Sequence, residues 1–228
     1  MKRIKKGWRR ILHIVLVVSV VILLVCLLIL WLLQTVPPNY QTALAVEKET
    51  HQPHLAALQE TVDNIKGDIW HRDQLVFEVS EQQINAWLAT ELGPQSSRAL
   101  PEGIKQLRIE LGKQQQRLYF TIERSRFTAV ISIVVQIALG DDPNTVEISI
   151  VSVHAGSLPI RLKRAFDEIE STMAHQGVDF QWKPGTDREV AVVTIPSQVR
   201  IKNKRKNLSV SELSIDEDVV EVTADLDR

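Results

Sequence analysis

Cysteine is almost missing from this chain: one of 228 residues, Cys26. No intrachain disulfide can form, and beyond residue 33 thiol nucleophiles and cysteine-based metal sites are excluded, so any folded part rests on hydrophobic packing. Charge is missing from Ile11 to Leu33, 23 consecutive residues without Asp, Glu, Lys or Arg. There is no G-x-S-x-G, and no serine stands in a recognisable pattern with an acid and a base. His51 and His54 lack a third ligand at metal-binding spacing and have Pro53 between them, which makes them solvent-exposed histidines; His71, His154 and His175 are isolated. Asp141-Asp142 and Asp216 to Asp218 are acid pairs between strands, where Asp favours turns through local hydrogen bonds. These absences point to a protein that is not an enzyme and holds no cofactor and no metal.

What is present begins with the uncharged run itself. Nineteen of its 23 residues are Leu, Ile or Val. As a helix it is about 34 Å long, enough for a hydrocarbon core of about 30 Å. Six basic residues precede it (Lys2, Arg3, Lys5, Lys6, Arg9, Arg10), whereas only Lys48 lies between Gln34 and Pro53, so the amino terminus is expected in the cytoplasm and the bulk outside. A cleaved signal peptide would have a shorter apolar region and a small-residue cleavage site, and Trp31 to Pro37 offers no A-x-A pattern. Trp8, Trp31 and Tyr40 flank the run as expected interfacial rings. The expected partner of residues 11–33 is the lipid bilayer, and the expected location is the cell (inner) membrane, as a single-pass signal-anchor protein.

The 195 residues beyond the run hold 21 Lys and Arg, the 27 of the chain less the six in the tail, against 28 Asp and Glu. The resulting charge of −7 argues against a nucleic-acid partner. The organisation read from the sequence is a cytoplasmic tail at 1–10, a transmembrane helix at 11–33, a partly helical stalk at 34–72, and an extracytoplasmic domain at 73–228. The stalk either stands free or packs on that domain. Pro37-Pro38 stops the apolar helix. The next helix is interrupted near Pro53, carries Leu55, Leu58, Val62 and Ile65 as one stripe, and ends at Gly67.

Leu75 to Val79 reads as a strand, and Ser80 with Gln83 as the capping box of a helix whose apolar face is Ile84, Trp87, Leu88 and Leu92, with Gly93-Pro94 as its stop. Within that helix Asn85 is expected to hydrogen-bond a strand end. The period then becomes two: Leu107, Ile109 and Leu111 alternate with Arg108 and Glu110, and Leu118, Phe120 and Ile122 with Tyr119, Thr121 and Glu123, as in half-buried antiparallel strands. Phe127 to Leu139 is a long strand with one apolar face that includes Ile131, Ile133 and Val135. A turn at Asp141 to Asn144 leads to Thr145–Val153, where the apolar residues change face and a bulge or double-sided burial is expected near Ile150. A helix from about 160 to 175 comes next, then strands at about 178–182, 189–195, 207–215 and 219–224. The fold class is α+β: a transmembrane helix, then an antiparallel, curved sheet packed against two or more helices.

Through Val79 to Leu88, Gly156 to Ile160 and the closing strand pair, the chain resembles uncharacterised single-span membrane proteins of Planctomycetes and, more distantly, the YpmS-like family. That resemblance implies architecture and location and brings no activity. Two roles suit the sequence. The first is a non-enzymatic interaction or scaffold module of the cell envelope, bound to another envelope protein. The alternative is a module that holds a lipid or other hydrophobic ligand between sheet and helix, with Trp87, Ile131, Ile133 and Val135 as the candidate lining. Lys202, Lys204, Arg205 and Lys206 form a basic run, a solvated loop or a contact for anionic headgroups or a wall polymer.

Overall fold

The computed structural model describes residues 19–29, 31–45, 48–92, 103–124, 127–160, 178–201 and 204–227. The basic tail, the first part of the expected span, the Gly93-Pro94 stop, the expected helix near 160–175 and Lys202 lie outside the described residues. Four helices are described: α1 (Ser19–Leu33), α2 (Pro38–Ala45), α3 (Lys48–Asp68) and α4 (Glu81–Glu91). Among the described residues no single helix is long and apolar enough to cross a membrane; α1 and α2 meet the length and composition criteria only when taken together, as a pair bent by 44°. The bend falls at Pro37-Pro38, where the ring and the missing amide forbid continuation.

The strands are β1 (Gln74–Ser80), β2 (Ile104–Glu110), β3 (Gln116–Arg124), β4 (Phe127–Leu139), β5 (Thr145–Ala155), β6 (Leu158–Pro159), β7 (Asp179–Trp182), β8 (Val190–Thr194), β9 (Gln198–Ile201), β10 (Lys204–Asp216) and β11 (Val219–Asp227). The fold is α+β, with curled antiparallel sheets. They number two rather than one. The smaller has the order β1-β11-β10-β9, the larger β2-β3-β4-β5-β8-β7, with β6 on β5. Asn144, in the β4–β5 turn, joins them: its amide nitrogen donates to Leu208 O (2.7 Å) and its amide oxygen accepts from Val210 N–H (2.7 Å), both on β10. Asn144 has φ +58°, a conformation asparagine tolerates better than most residues.

Local signals formed the elements they promised. The Ser80 hydroxyl accepts from Gln83 N–H, and the Gln83 side chain accepts from Ser80 N–H, closing the capping box of α4. On β5 the register moves from Val134 opposite Ser152 to Val135 opposite Ile150, leaving Val151 as the extra residue of a bulge. Ile150 and Val153 can then both face the core made by Phe120, Ile131 and Ile133.

Other expectations fail where a second element covers a face. Arg108, expected on the wet side of β2, is 8 % exposed; its Nη1 donates to Leu107 O (2.7 Å) and its Nε to Ala43 O of α2 (3.4 Å). Tyr119 and Thr121, also expected outside, are buried. Their cover is Tyr40, which is not an interfacial ring: it is 1 % exposed, stacks on Tyr119 with ring centroids 5.5 Å apart, and places its hydroxyl 2.8 Å from Thr121 Oγ1 and 2.9 Å from Gln106 O. Gln106 has φ +58° at a bulge of β2, a left-handed conformation held from both sides by its carbonyl bond to Tyr40 and its side-chain bond from Thr121. Both following helices pack on the folded body, α2 on β2 and α3 on α4 and β1. Helix α3 runs through Pro53 and through Gly67, since one lost amide and one flexible residue cost less than its packing returns.

The end of α1 is seated on the same body. Ser157 N–H donates to Leu32 O (3.0 Å), and Leu33 packs on the Phe120 and Ile131 core. Gly156, at φ +58°, lies so close that an added Cβ would overlap Leu32 O and stand 2.7 Å from Leu33 O.

Candidate functional site

A cleft of about 510 Å³ lies where α2, α3 and α4 meet β2 and the β10–β11 turn. Each wall has a local cause. The turn at Glu217-Asp218, with Asp218 at φ +67°, presents Asp218 O to the first amide of α4, Glu81 N–H (2.8 Å). Asn85 then aligns α4 on β2 through both amide atoms: Nδ2 donates to Ile109 O and Oδ1 accepts from Ile109 N–H, each at 2.8 Å. This is the strand-end bond expected of it.

Four carboxylates line the cleft: Glu81, Glu110, Glu217 and Asp218. Glu81 accepts from Leu111 N–H (2.7 Å). Burial raises its pKa above the ordinary glutamate value, the Leu111 bond opposes that rise, and Asp218 and Glu110 add to it. Glu110 accepts from Asn39 Nδ2 (2.8 Å) and from the Tyr119 hydroxyl (2.6 Å). Burial and then that bond push the Tyr119 pKa strongly upward, so the phenol stays a donor.

His51 and His54 enter from α3. His51 is 8 % exposed, so it is not the solvent-facing histidine expected: α3 folds back on the body instead of standing away from it. Burial lowers its pKa, and Arg108 and His54 lower it further, favouring the neutral imidazole. Among the described residues no three His, Cys, Asp or Glu side chains form a set that could hold a metal ion. Chemically the cleft offers acceptors and negative charge, with Glu81 held by a backbone bond and Glu110 by two side chains, and is suited to receive donors or a cationic side chain.

Of the residues singled out in the sequence, His51, His54, Asn85 and Asp218 meet in this cleft, whereas Trp87, Ile131, Ile133, Val135, Lys204, Arg205 and Lys206 do not line it. Trp87 is 44 % exposed on α4, which packs on α3, β1 and β2, whereas Ile131 and Ile133 are 4 % and 6 % exposed inside the core and Val135 packs beside them. The basic run lies at the β9–β10 hairpin and is not a free loop: Lys204, Arg205 and Lys206 belong to β10. Arg205 is exposed, but Lys206 is 7 % exposed and its Nζ donates to Arg72 O (2.7 Å). The cleft as a whole is not legible in the sequence because its lining comes from six separate stretches; the Asn39 and Glu81 signals are single polar residues at helix starts, common at any N-terminus.

Compared with protein-family models, curated proteins and solved structures, the chain has no match.

Proposed function

We propose that the protein is a single-pass, membrane-anchored module of the cell envelope, with its amino terminus in the cytoplasm and its folded body outside, and that it binds another envelope protein and does no chemistry of its own. The observation that carries this reading is the seat of α1. A mere tether needs no contact with its cargo, yet the last turn of α1 is hydrogen-bonded at Leu32 to Ser157, packed at Leu33 and closed over by Gly156. Such a seat fixes the body relative to the helix, which is what a scaffold requires. The acid-lined cleft, beginning at Asn39 just past the bend, is the surface held in place, and a basic segment of a partner protein suits its charge.

The likeness to single-span planctomycete and YpmS-like proteins belongs to the same proposal. The hydrophobic-ligand alternative has less support, because Trp87 and the apolar residues of β4 pack in different layers. The test is photo-crosslinking in cells from a probe at Gln82, an exposed cleft residue, with exposed Gln74 as control. One discrete protein adduct from position 82 and none from position 74 is expected. No adduct from position 82, or the same adducts from both, contradicts the assignment.

A further inference from the structure

A second recess, of about 550 Å³, lies on the outer face of β3, β4 and β5 and is walled by Pro37 and Pro38. These prolines are four and five residues past the end of α1. Asn39 and Tyr119 border both recesses, but the chemistry differs on the two sides: four carboxylates line the first and none lines the second. In a body whose formal charge is −7, a recess whose lining holds donors and no carboxylate stands out; Glu110 reaches it only from behind, through Asn39, Tyr119 and Arg117.

The donors are ordered by strand register. Arg117, Val134 and Ser152 form one cross-strand row, and Tyr119, Ser132 and His154 form the next. Strands lie about 4.8 Å apart and alternate residues about 7 Å apart, so the rows frame a patch of roughly 10 by 7 Å, with Arg117 and His154 at opposite corners, Ser152 at a third and Ser132 in the middle strand. The Val151 bulge makes this patch: it lets Ile150 and Val153 both face the core while Ser152 and His154 share the outer face. Arg117 is 46 % exposed, and its contact with Glu110 is long, 3.4 Å, leaving the guanidinium available to an anion. Gln115 completes the rim.

We infer that this recess binds the phosphoryl headgroup of an anionic phospholipid from the leaflet that α1 leaves, with Arg117 and His154 as charged and polar clasps and Ser132 and Ser152 as donors. The inference rests on the membrane-anchor reading, since Pro37 and Pro38 place the recess at headgroup level only if α1 belongs to a span. It assigns headgroup contact to a site other than the basic hairpin, where Lys206 is buried and already bonded.

The test uses the full chain in detergent, offered equal phosphatidylglycerol and phosphatidylcholine, with retained lipid read by native mass spectrometry. Retention of phosphatidylglycerol over phosphatidylcholine is expected, reduced about fivefold by Arg117→Gln, the effect of one near-surface charge on an anionic headgroup. His154→Gln also reduces it, and Arg205→Gln in the basic hairpin leaves it unchanged. Equal retention of the two lipids, a preference that survives Arg117→Gln and His154→Gln, or loss on Arg205→Gln alone overturns the site. So does binding of inorganic phosphate at Arg117 without any lipid preference, which marks a free-anion site. Carbonate extraction of membranes reads the anchor separately: a chain that stays in the pellet but shows no preference refutes the headgroup site alone, and a chain that is extracted refutes both.

Discussion

Replacing Gly156 by alanine tests the seat of α1 at its tightest point. The added Cβ would overlap Leu32 O and stand 2.7 Å from Leu33 O, and both are backbone atoms that cannot swing aside. The residue would also hold φ +58°, which costs a non-glycine residue roughly 1–2 kcal/mol. Relief requires the end of α1 to lift, which breaks the Ser157–Leu32 bond, a loss of about 1 kcal/mol, and withdraws the half-buried Leu33, roughly another 1 kcal/mol. The sum is about 3–4 kcal/mol, or a fall in Tm of roughly 6–16 °C for a chain of this size. Thermal unfolding in detergent measures it. Spin labels on Cys26, exposed on α1, and on a Glu221→Cys variant of exposed β11 report the geometry: a narrow distance distribution in the parent and a broad one in Gly156→Ala. The matched control is Gly67→Ala, inside α3 with no atom within 4 Å of the new Cβ, which should stabilise by about 0.5–1 kcal/mol. A Gly156→Ala protein with parental Tm and an unbroadened distribution would refute the reasoning.

The same packing sets three further outcomes. Tyr40→Phe leaves Gln106 O and the Thr121 hydroxyl without their shared partner and should cost about 1–3 kcal/mol in urea denaturation; no change would mean that the phenol hydroxyl does not tie α2 to the sheet. Asn144→Ala removes both side-chain bonds to β10 and puts alanine at positive φ, for a loss of about 2–4 kcal/mol, with amide exchange at Val210 accelerating more than exchange within β4. Glu81 has a folded pKa above its ordinary value of 4.5, so its contribution is fully present below about pH 4.5 and is lost as pH rises through the folded value. Glu81→Gln keeps an acceptor for Leu111 N–H and should raise Tm more at pH 7 than at pH 4.5; equal increments at the two pH values would contradict the burial assigned to this carboxylate.

Features governed by neighbouring residues were legible in the sequence. The Ser80 and Gln83 capping box, the long strand β4 and the bulge beside Ile150 are each decided within a few residues, and each is present. Features that depend on what lies across a face were not. Alternation put Arg108, Tyr119 and Thr121 on a solvated side, because period two reports that a strand has two faces and is silent about a second cover; Tyr40, about 80 residues away from Tyr119, supplies it. Position beside the apolar run suggested an interfacial role for Tyr40, and its two hydroxyl partners are too distant in sequence to betray the true one. The basic run read as a loop because its charges hide β9 and the first residues of β10, whose pairing comes from register with each other and not from apolar alternation. The cleft was illegible for the same reason: Asn39, His51, Glu81, Glu110 and Asp218 meet only after both sheets and three helices are assembled.

The central claim is that the folded body stands outside the membrane on the end of a single span. Glu221→Cys in a Cys26→Ser background carries its only thiol on an exposed position of β11, so a membrane-impermeant maleimide added to intact spheroplasts reads the side directly. Full labelling before lysis, with none gained after it, is the predicted result; labelling that appears only after lysis would contradict it.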